Sequence, residues 1–197
     1  MDDALREWLL EHCQEAYDYQ LTRSENIAGR LSLLSGLLTA LGGGIYYVGT
    51  SYPHAWNGLM SLCFYLPFAI SALLFCYSVI LYLVALARGF SYSYVPTSPA
   101  IIQYAHNLEA FNASNPDQAV PILTDIKESL IKQYSNAELS NFQTNSSRTA
   151  ILLRAAQLSA ISLVFVALSL PYFLYEKNAC GDNPSKVMII NPVKVSP

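Results

Sequence analysis

The chain has 197 residues, of which 53% are hydrophobic and only 13% are charged, and its formal net charge is −3 at pH 7. A soluble domain carries about 25% charged residues, so this composition argues against an ordinary soluble enzyme, and its hydrophobic content excludes intrinsic disorder. The negative net charge argues against a general nucleic-acid-binding face, which would be basic. The composition therefore favours insertion into a membrane.

The N-terminal segment, residues 1–30, is predicted to form an amphipathic helix that leads into the first membrane span. One stripe of residues recurs at three- and four-residue spacing, as on one face of a helix. Its members are Leu5, Trp8, Leu9, His12, Cys13, Ala16 and Gln20. Acidic residues occupy the other face, so we expect the stripe to pack against a partner helix. The alternative is a helix lying on the membrane, which an acidic face disfavours where the lipids are anionic.

Two stretches of the chain, residues 31–87 and 155–175, contain no Asp, Glu, Lys or Arg. About 20 apolar helical residues cross a bilayer, so the first stretch is long enough for two spans. Pro, Asn and Gly punctuate residues 50–58, which predicts a turn between spans at 31–48 and 59–87. A third span is predicted at 155–175. The alternative, three buried helices of a soluble bundle, is disfavoured because the second charge-free stretch is too long and too apolar for a core helix of a globular protein.

The distribution of Lys and Arg predicts the orientation of these spans. Eight of the eleven lie in the N-terminal segment and in residues 88–154, which share one side if there are three spans. Basic residues favour the cytoplasmic side. We therefore expect an all-α integral protein of the bacterial inner membrane, with residues 1–30 and 88–154 in the cytoplasm and the tail, residues 176–197, outside.

The cytoplasmic insert, residues 88–154, is predicted to contain two helices. Ile101, Ala105, Leu108 and Phe111 mark the first, which ends in the Asn- and Pro-containing residues 112–116. Asp117 then has the character of an N-cap for the second helix. After Pro121 no Pro or Gly follows before Pro171, so we expect this second helix to continue into the third span.

The sequence carries no motif for a common catalytic chemistry. It has no Gly-rich turn ending in Gly-Lys-Ser/Thr, no Cys-x-x-Cys and no His-Glu-x-x-His, and its His residues are isolated. No Asp or Glu lies in a predicted span, so the spans hold no carboxylate for a proton relay. We therefore expect no enzyme activity, no catalytic residue, no metal and no cofactor.

Polar and small residues inside the spans are candidates for pore lining or helix contacts. In span one, Ser35, Thr39 and Gly43 follow each other at four-residue intervals, a spacing that lets helices approach closely in lipid. Span three carries Gln157 and Ser162. One interpretation is that these groups bond to neighbouring helices. The other is that Ser35, Thr39, Gln157 and Ser162 line a pore, which would need several copies because three spans enclose no channel.

Four arginines border the entries to two spans. Arg23 and Arg30 precede span one, and Arg148 and Arg154 precede span three. Brought together in an oligomer, they would form a positive ring at the inner mouth that binds the phosphates of a nucleotide or oligonucleotide. The alternative is that they only orient the spans, which needs no ligand.

A motif before the third span carries a resemblance to a known family. It reads Tyr134-Ser-Asn-Ala-Glu-Leu-Ser-Asn141-Phe-Gln-Thr-Asn145-Ser-Ser-Arg148, followed by Leu152-Leu-Arg154-Ala. With the layout of the spans, the chain resembles small bacterial membrane effectors of anti-phage systems, the SLATT-type proteins and the Hailong effector. Many of these have a Tyr, spaced Asn residues and an Arg just before the last span.

The resemblance implies a homo-oligomeric, tetrameric pore that depolarises the inner membrane when infection is sensed. It further implies control by a nucleotide signal from a partner nucleotidyltransferase. In most such systems this signal activates the effector, whereas in Hailong it holds the effector closed. Two alternatives stay open: a non-conducting membrane scaffold or sensor that recruits a soluble partner through an apolar stripe at residues 120–134, and a holin-like lysis protein.

Overall fold

The computed structural model describes residues 2–52 and 58–181, and all regular structure in these residues is helical. The four α-helices are α1 (Asp3–Ser51), α2 (Leu59–Ala87), α3 (Ser98–Ser114) and α4 (Ile122–Gly181). Two short 3₁₀ turns, Arg88–Phe90 and Pro116–Gln118, lie before α3 and before α4. The predicted all-α class is confirmed for the described residues.

Three of these helices, α1, α2 and α4, are long and apolar enough to cross a membrane. Only 17% of the most apolar stretch of α2 is buried within the chain, and the value is 28% for α1 and for α4. A soluble bundle would bury these side chains, so their outward position indicates membrane association. With 49 and 60 residues, α1 and α4 exceed the ~20 residues that a bilayer core accommodates.

The chain forms two compact units, and α1, α2 and α4 each contribute to both. Of the described residues, unit 1 contains 2–36 and 78–156, and unit 2 contains 37–52, 58–77 and 157–181. Among the described residues of unit 2, only Glu176 and Lys177 are charged. Unit 1 therefore holds nearly all the described charge, whereas unit 2 is the apolar unit.

In unit 1, α4 packs antiparallel to the end of α2. The Ser78 hydroxyl donates to the Ala155 carbonyl oxygen at 2.8 Å, and Arg148 Nε donates to the Ala85 carbonyl oxygen at 3.2 Å. A step of seven residues forward in α2 thus matches a step of seven backward in α4. This repeat is typical of left-handed, coiled-coil-like helix packing.

In unit 2, aromatic rings fill the space between the three helices. A Cβ atom added to Gly42 would lie 2.9 Å from the Phe75 ring, and one added to Gly49 would lie 2.9 Å from the Phe68 ring. Glycine therefore lets α1 and α2 approach closely at these two positions. The interior also holds a buried cluster. It consists of Val48, Tyr52, Phe64 and Phe173.

The predicted apolar stripe on the N-terminal part of α1 is partly wrong. The structure exposes Leu5, Trp8 and His12, and the side chains that it buries there are Arg6, Tyr17 and Gln20. Arg6 can be buried because its guanidinium pairs with Asp3 at 2.5 Å and with Glu128 of α4 at 3.0 Å. A hydrophobicity pattern counts arginine as polar and therefore places it on the wrong face.

The start of α4 also differs from the prediction. Asp117 lies in a 3₁₀ turn and is not the N-cap of α4, which begins at Ile122. The Asn112 side chain instead holds the connection, since it accepts a hydrogen bond from the Val120 N–H at 2.9 Å and donates to the Val120 carbonyl at 2.8 Å. From Ile122 onward, α4 continues without a break through residues 155–175, as predicted.

Two predicted segments lie partly outside the described residues. Within the predicted turn at residues 50–58, α1 ends at Ser51. Gly58, at the other end of the turn, has a φ of +63°, which suits glycine. Residues 53–57 are not among those described. Of the predicted tail, residues 176–181 belong to α4, and residues 182–197 lie outside the described part.

Candidate functional site

Arg148 lies at the centre of a buried polar network in unit 1. Its side chain is held by α2 and by the segment that follows it, and the residue is 4% exposed. Besides the bond to Ala85, Arg148 Nη1 donates to the Tyr92 hydroxyl at 2.7 Å, and its guanidinium lies 5.6 Å from the centre of the Tyr92 ring. Gly89 makes room for it, because a Cβ there would lie 2.8 Å from Arg148 Nη2.

Asn145, one helical turn before Arg148, extends this network to α1. Its side-chain amide donates to the Gln20 carbonyl oxygen at 2.9 Å and to Gln20 Oε1 at 3.2 Å. The Tyr92 hydroxyl donates to Asn145 Oδ1, so this hydroxyl connects Asn145 with Arg148. The network thereby joins α1, α4 and the residues after α2.

Asn141, one further turn back, binds the backbone of the connection between α2 and α3. Its Oδ1 accepts a hydrogen bond from the Ser93 N–H at 2.8 Å, and its Nδ2 donates to the Ser93 carbonyl at 3.0 Å. We call the whole network the polar clasp. Its members are Gln20, Tyr92, Ser93, Asn141, Asn145 and Arg148. Because these groups bond to one another, the arrangement suits a structural connector rather than a binding site.

Arg23 and Arg30, by contrast, line one open groove between α1 and α4 in unit 1. The groove has a volume of about 650 Å³, within the range of small-molecule sites, and Thr149 of α4 forms part of its wall. Arg23 lies 5.7 Å from the centre of the Phe142 ring. Arg30 is exposed, and no hydrogen bond or ion pair reaches it from the described residues. None of the described residues that line the groove is acidic.

The four predicted arginines therefore do not meet within one chain. Arg23 and Arg30 share the groove, Arg148 belongs to the polar clasp, and Arg154 is exposed on α4. Arg154 follows Arg148 by six residues, which places it on a different face of the helix. A single chain thus offers a phosphate Arg23, Arg30 and Arg154, whereas Arg148 is buried and its Nε and Nη1 already donate to Ala85 and Tyr92.

The four residues predicted to line a pore or to make helix contacts also lie in different environments. Ser162 is fully buried in unit 2, where its hydroxyl donates to the Ser71 carbonyl at 3.0 Å and the Ser71 hydroxyl donates to the Ser162 carbonyl at 2.8 Å. It is therefore a contact between α2 and α4. Thr39 and Gln157 are exposed, and Ser35 is half-buried.

The apolar stripe on α4 that a soluble partner was expected to use lies beside α3 of the same chain. Ile126 and Leu130 line a small cleft with Ala100 and Ile101. Nearby, the Tyr104 hydroxyl donates to Asp125 at 2.6 Å, and this hydrogen bond raises the pKa of the Tyr104 phenol. Part of this stripe therefore lies against α3 within unit 1.

Sequence reasoning placed Gln20 on the packing face of α1, and the structure buries it there, but it missed Gln20 and Tyr92 as the hydrogen-bond partners of Asn145 and Arg148. A signal was nevertheless present, because five of the residues that α4 buries recur every seven positions. These five are Asn141, Arg148, Ala155, Ser162 and Ser169. A seven-residue repeat that includes Asn and Arg predicts polar groups inside a helical interface.

Fold and site together define an all-helical, membrane-associated protein with a charged unit and an apolar one. The chain matches no protein-family profile, no curated protein and no solved structure. Within residues 2–52 and 58–181, no group of three His, Cys, Asp or Glu side chains is placed to hold a metal ion.

Proposed function

We propose that this chain is a membrane-embedded effector whose copies assemble into a homo-oligomeric pore, controlled from the side that carries unit 1. In this proposal the pore depolarises the bacterial inner membrane, with the N-terminus and residues 88–154 in the cytoplasm. The proposal agrees with the resemblance to SLATT-type effectors, which also supplies the expected number of four copies.

The observation that carries the proposal is the outward position of two glycines in α1. Of three consecutive glycines, Gly42 packs against Phe75, whereas a Cβ added to Gly43 or Gly44 would meet no atom within 4 Å beyond the adjacent backbone of α1 itself. A glycine inside a helix costs about 1 kcal/mol relative to alanine. Packing within one chain gives no reason for this cost. The close approach of a helix from a second copy would explain it, because helix contacts in lipid are rich in small residues.

A pore between copies also fits the interior of unit 2. Aromatic rings and the Ser71–Ser162 pair fill the space among the described parts of its three helices. Ions would therefore cross between chains rather than through one chain. Thr39 on α1 and Gln157 on α4 are exposed and polar, so they are the described side chains best suited to line such a path.

Control by a phosphate-bearing signal is the second part of the proposal. Arg23, Arg30 and Arg154 remain available to such a ligand, whereas Arg148 is engaged in the polar clasp. A nucleotide or oligonucleotide bound on this side would act on α1 and α4, which both continue into the apolar unit.

Replacing Ala40 with leucine tests the oligomer directly. Ala40 is exposed on α1 beside Gly43 and Gly44, so a large side chain there would keep a second helix away. We expect light scattering in detergent to show several copies for the wild type and mainly single chains for Ala40→Leu. Ala167→Leu is the matched control, because it introduces the same change on an exposed position of α4 in the same unit. A monomeric wild type, or equal masses for the two variants, would contradict the proposal.

A further inference from the structure

The arginine groove of unit 1 continues directly into an apolar groove between the same two helices. The second groove has a volume of about 350 Å³, and its wall is mostly hydrophobic, with Leu34 from α1 and Leu152 and Leu153 from α4. Ile27, Arg30 and Thr149 line both grooves. Arg30 therefore lies where the polar groove meets the apolar groove.

This junction coincides with the border of the charge-free stretches. Arg30 is the last charged residue before residues 31–87, and Arg154 is the last before residues 155–175. The polar groove lies beside the charged part of α1, and the apolar groove extends towards the uncharged part. In a bilayer, this order corresponds to headgroups followed by acyl chains.

We propose that the joined grooves bind one anionic phospholipid of the surrounding membrane. Arg30 and Arg23 hold the headgroup phosphate, and the side chains of Thr22 and Asn26 offer it further hydrogen-bond donors. One acyl chain lies along Leu34 and Leu153. Charge complementarity supports this occupant, because two guanidinium groups and no acidic side chain line the described walls.

A soluble phosphate ligand, including the proposed signal, would use only the polar half of this site, and it would have to displace the lipid from Arg23 and Arg30 in order to bind there. It would leave the apolar wall unoccupied, whereas a phospholipid covers both halves. Basic pockets between membrane helices on the cytoplasmic side are suited to anionic headgroups for this reason. The inference rests on the membrane position of α1 and α4 and does not depend on ion conduction.

Native mass spectrometry of the delipidated full-length protein tests the site. The protein is titrated with phosphatidylglycerol and, separately, with zwitterionic phosphatidylcholine of the same chains. We expect one tightly retained phosphatidylglycerol per chain and roughly fivefold weaker retention in Arg30→Gln, since one basic residue near the surface contributes about that factor. Arg88→Gln is the matched control, because Arg88 is exposed at the other end of the same charge-free stretch; its retention should equal that of the wild type.

A variant of the apolar wall separates lipid from soluble phosphate. Leu153→Ser is expected to weaken phosphatidylglycerol retention at unchanged charge, and millimolar ATP is expected not to displace the lipid. Equal retention of phosphatidylcholine, equal loss in Arg88→Gln and Arg30→Gln, or displacement by ATP would each overturn the lipid site. A failed conduction measurement with intact lipid binding would contradict the proposed function alone.

Discussion

Replacing Arg148 with alanine is expected to lower the free energy of unfolding by about 3 kcal/mol. Hydrogen bonds made by charged groups are worth about 1.5–3 kcal/mol each, and Arg148 makes one to the Ala85 carbonyl and one to the Tyr92 hydroxyl. Truncation would also open a cavity beside Gly89, which adds to the loss. Denaturant unfolding in detergent, followed by the disappearance of helical circular dichroism, measures the difference.

Two variants make this result specific to the polar clasp. Arg154→Ala removes the same side chain six residues along α4, where it is exposed, and should change stability by less than about 0.5 kcal/mol. Arg148→Lys keeps the charge but lacks the planar fork, so it should be intermediate, with a loss of about 1–2 kcal/mol. Equal stability of Arg148→Ala and Arg154→Ala would show that Arg148 does not support the fold and would return it to the candidate ligand residues.

Replacing Asn141 with leucine is expected to release the connection between α2 and α3. Asn141 bonds to both backbone groups of Ser93, and leucine of similar size would leave this N–H and this carbonyl without their partner. Ser93 is half-buried, and each lost hydrogen bond costs about 1 kcal/mol. We expect amide hydrogen exchange in residues 91–97 to accelerate more than about tenfold, because 1.4 kcal/mol corresponds to a factor of ten.

Asn136→Leu is the matched control for this experiment. Asn136 lies on the same helix but is exposed, so its replacement should leave exchange in residues 91–97 unchanged. The effect of Asn141→Leu should also be local, with exchange in α2 near Ser71 remaining slow. If both variants accelerated exchange equally, the Asn141–Ser93 contact would not be what holds this connection.

Much of the fold was predictable because missing charges mark membrane helices directly. The predicted span at residues 59–87 coincides with α2, and the absence of Pro and Gly before Pro171 predicted the continuous α4. Both signals are local in the sequence. They report where a helix can exist in lipid, where backbone groups must bond within the helix.

What the sequence left open depends on contacts between distant segments. The burial of Arg6 requires Glu128, which lies 122 positions away, and no periodicity of α1 reveals that partner. Arg148 and Arg154 appear equivalent in the sequence, yet one is bonded inside unit 1 and the other is exposed. The difference depends on how α2 and the segment after it pack against α4. This packing makes Arg148 a structural arginine and leaves Arg154 available to a ligand.

Single-channel recording across a planar bilayer tests whether copies of this chain form a conducting pore. A gated pore populates its open state to some extent even without its signal, so openings should be detectable at a steady voltage. We expect discrete current steps with the wild type and with Ala167→Leu, and none with Ala40→Leu. A wild type that is oligomeric and inserted, but gives no steps above a protein-free bilayer, would contradict it and favour the non-conducting scaffold.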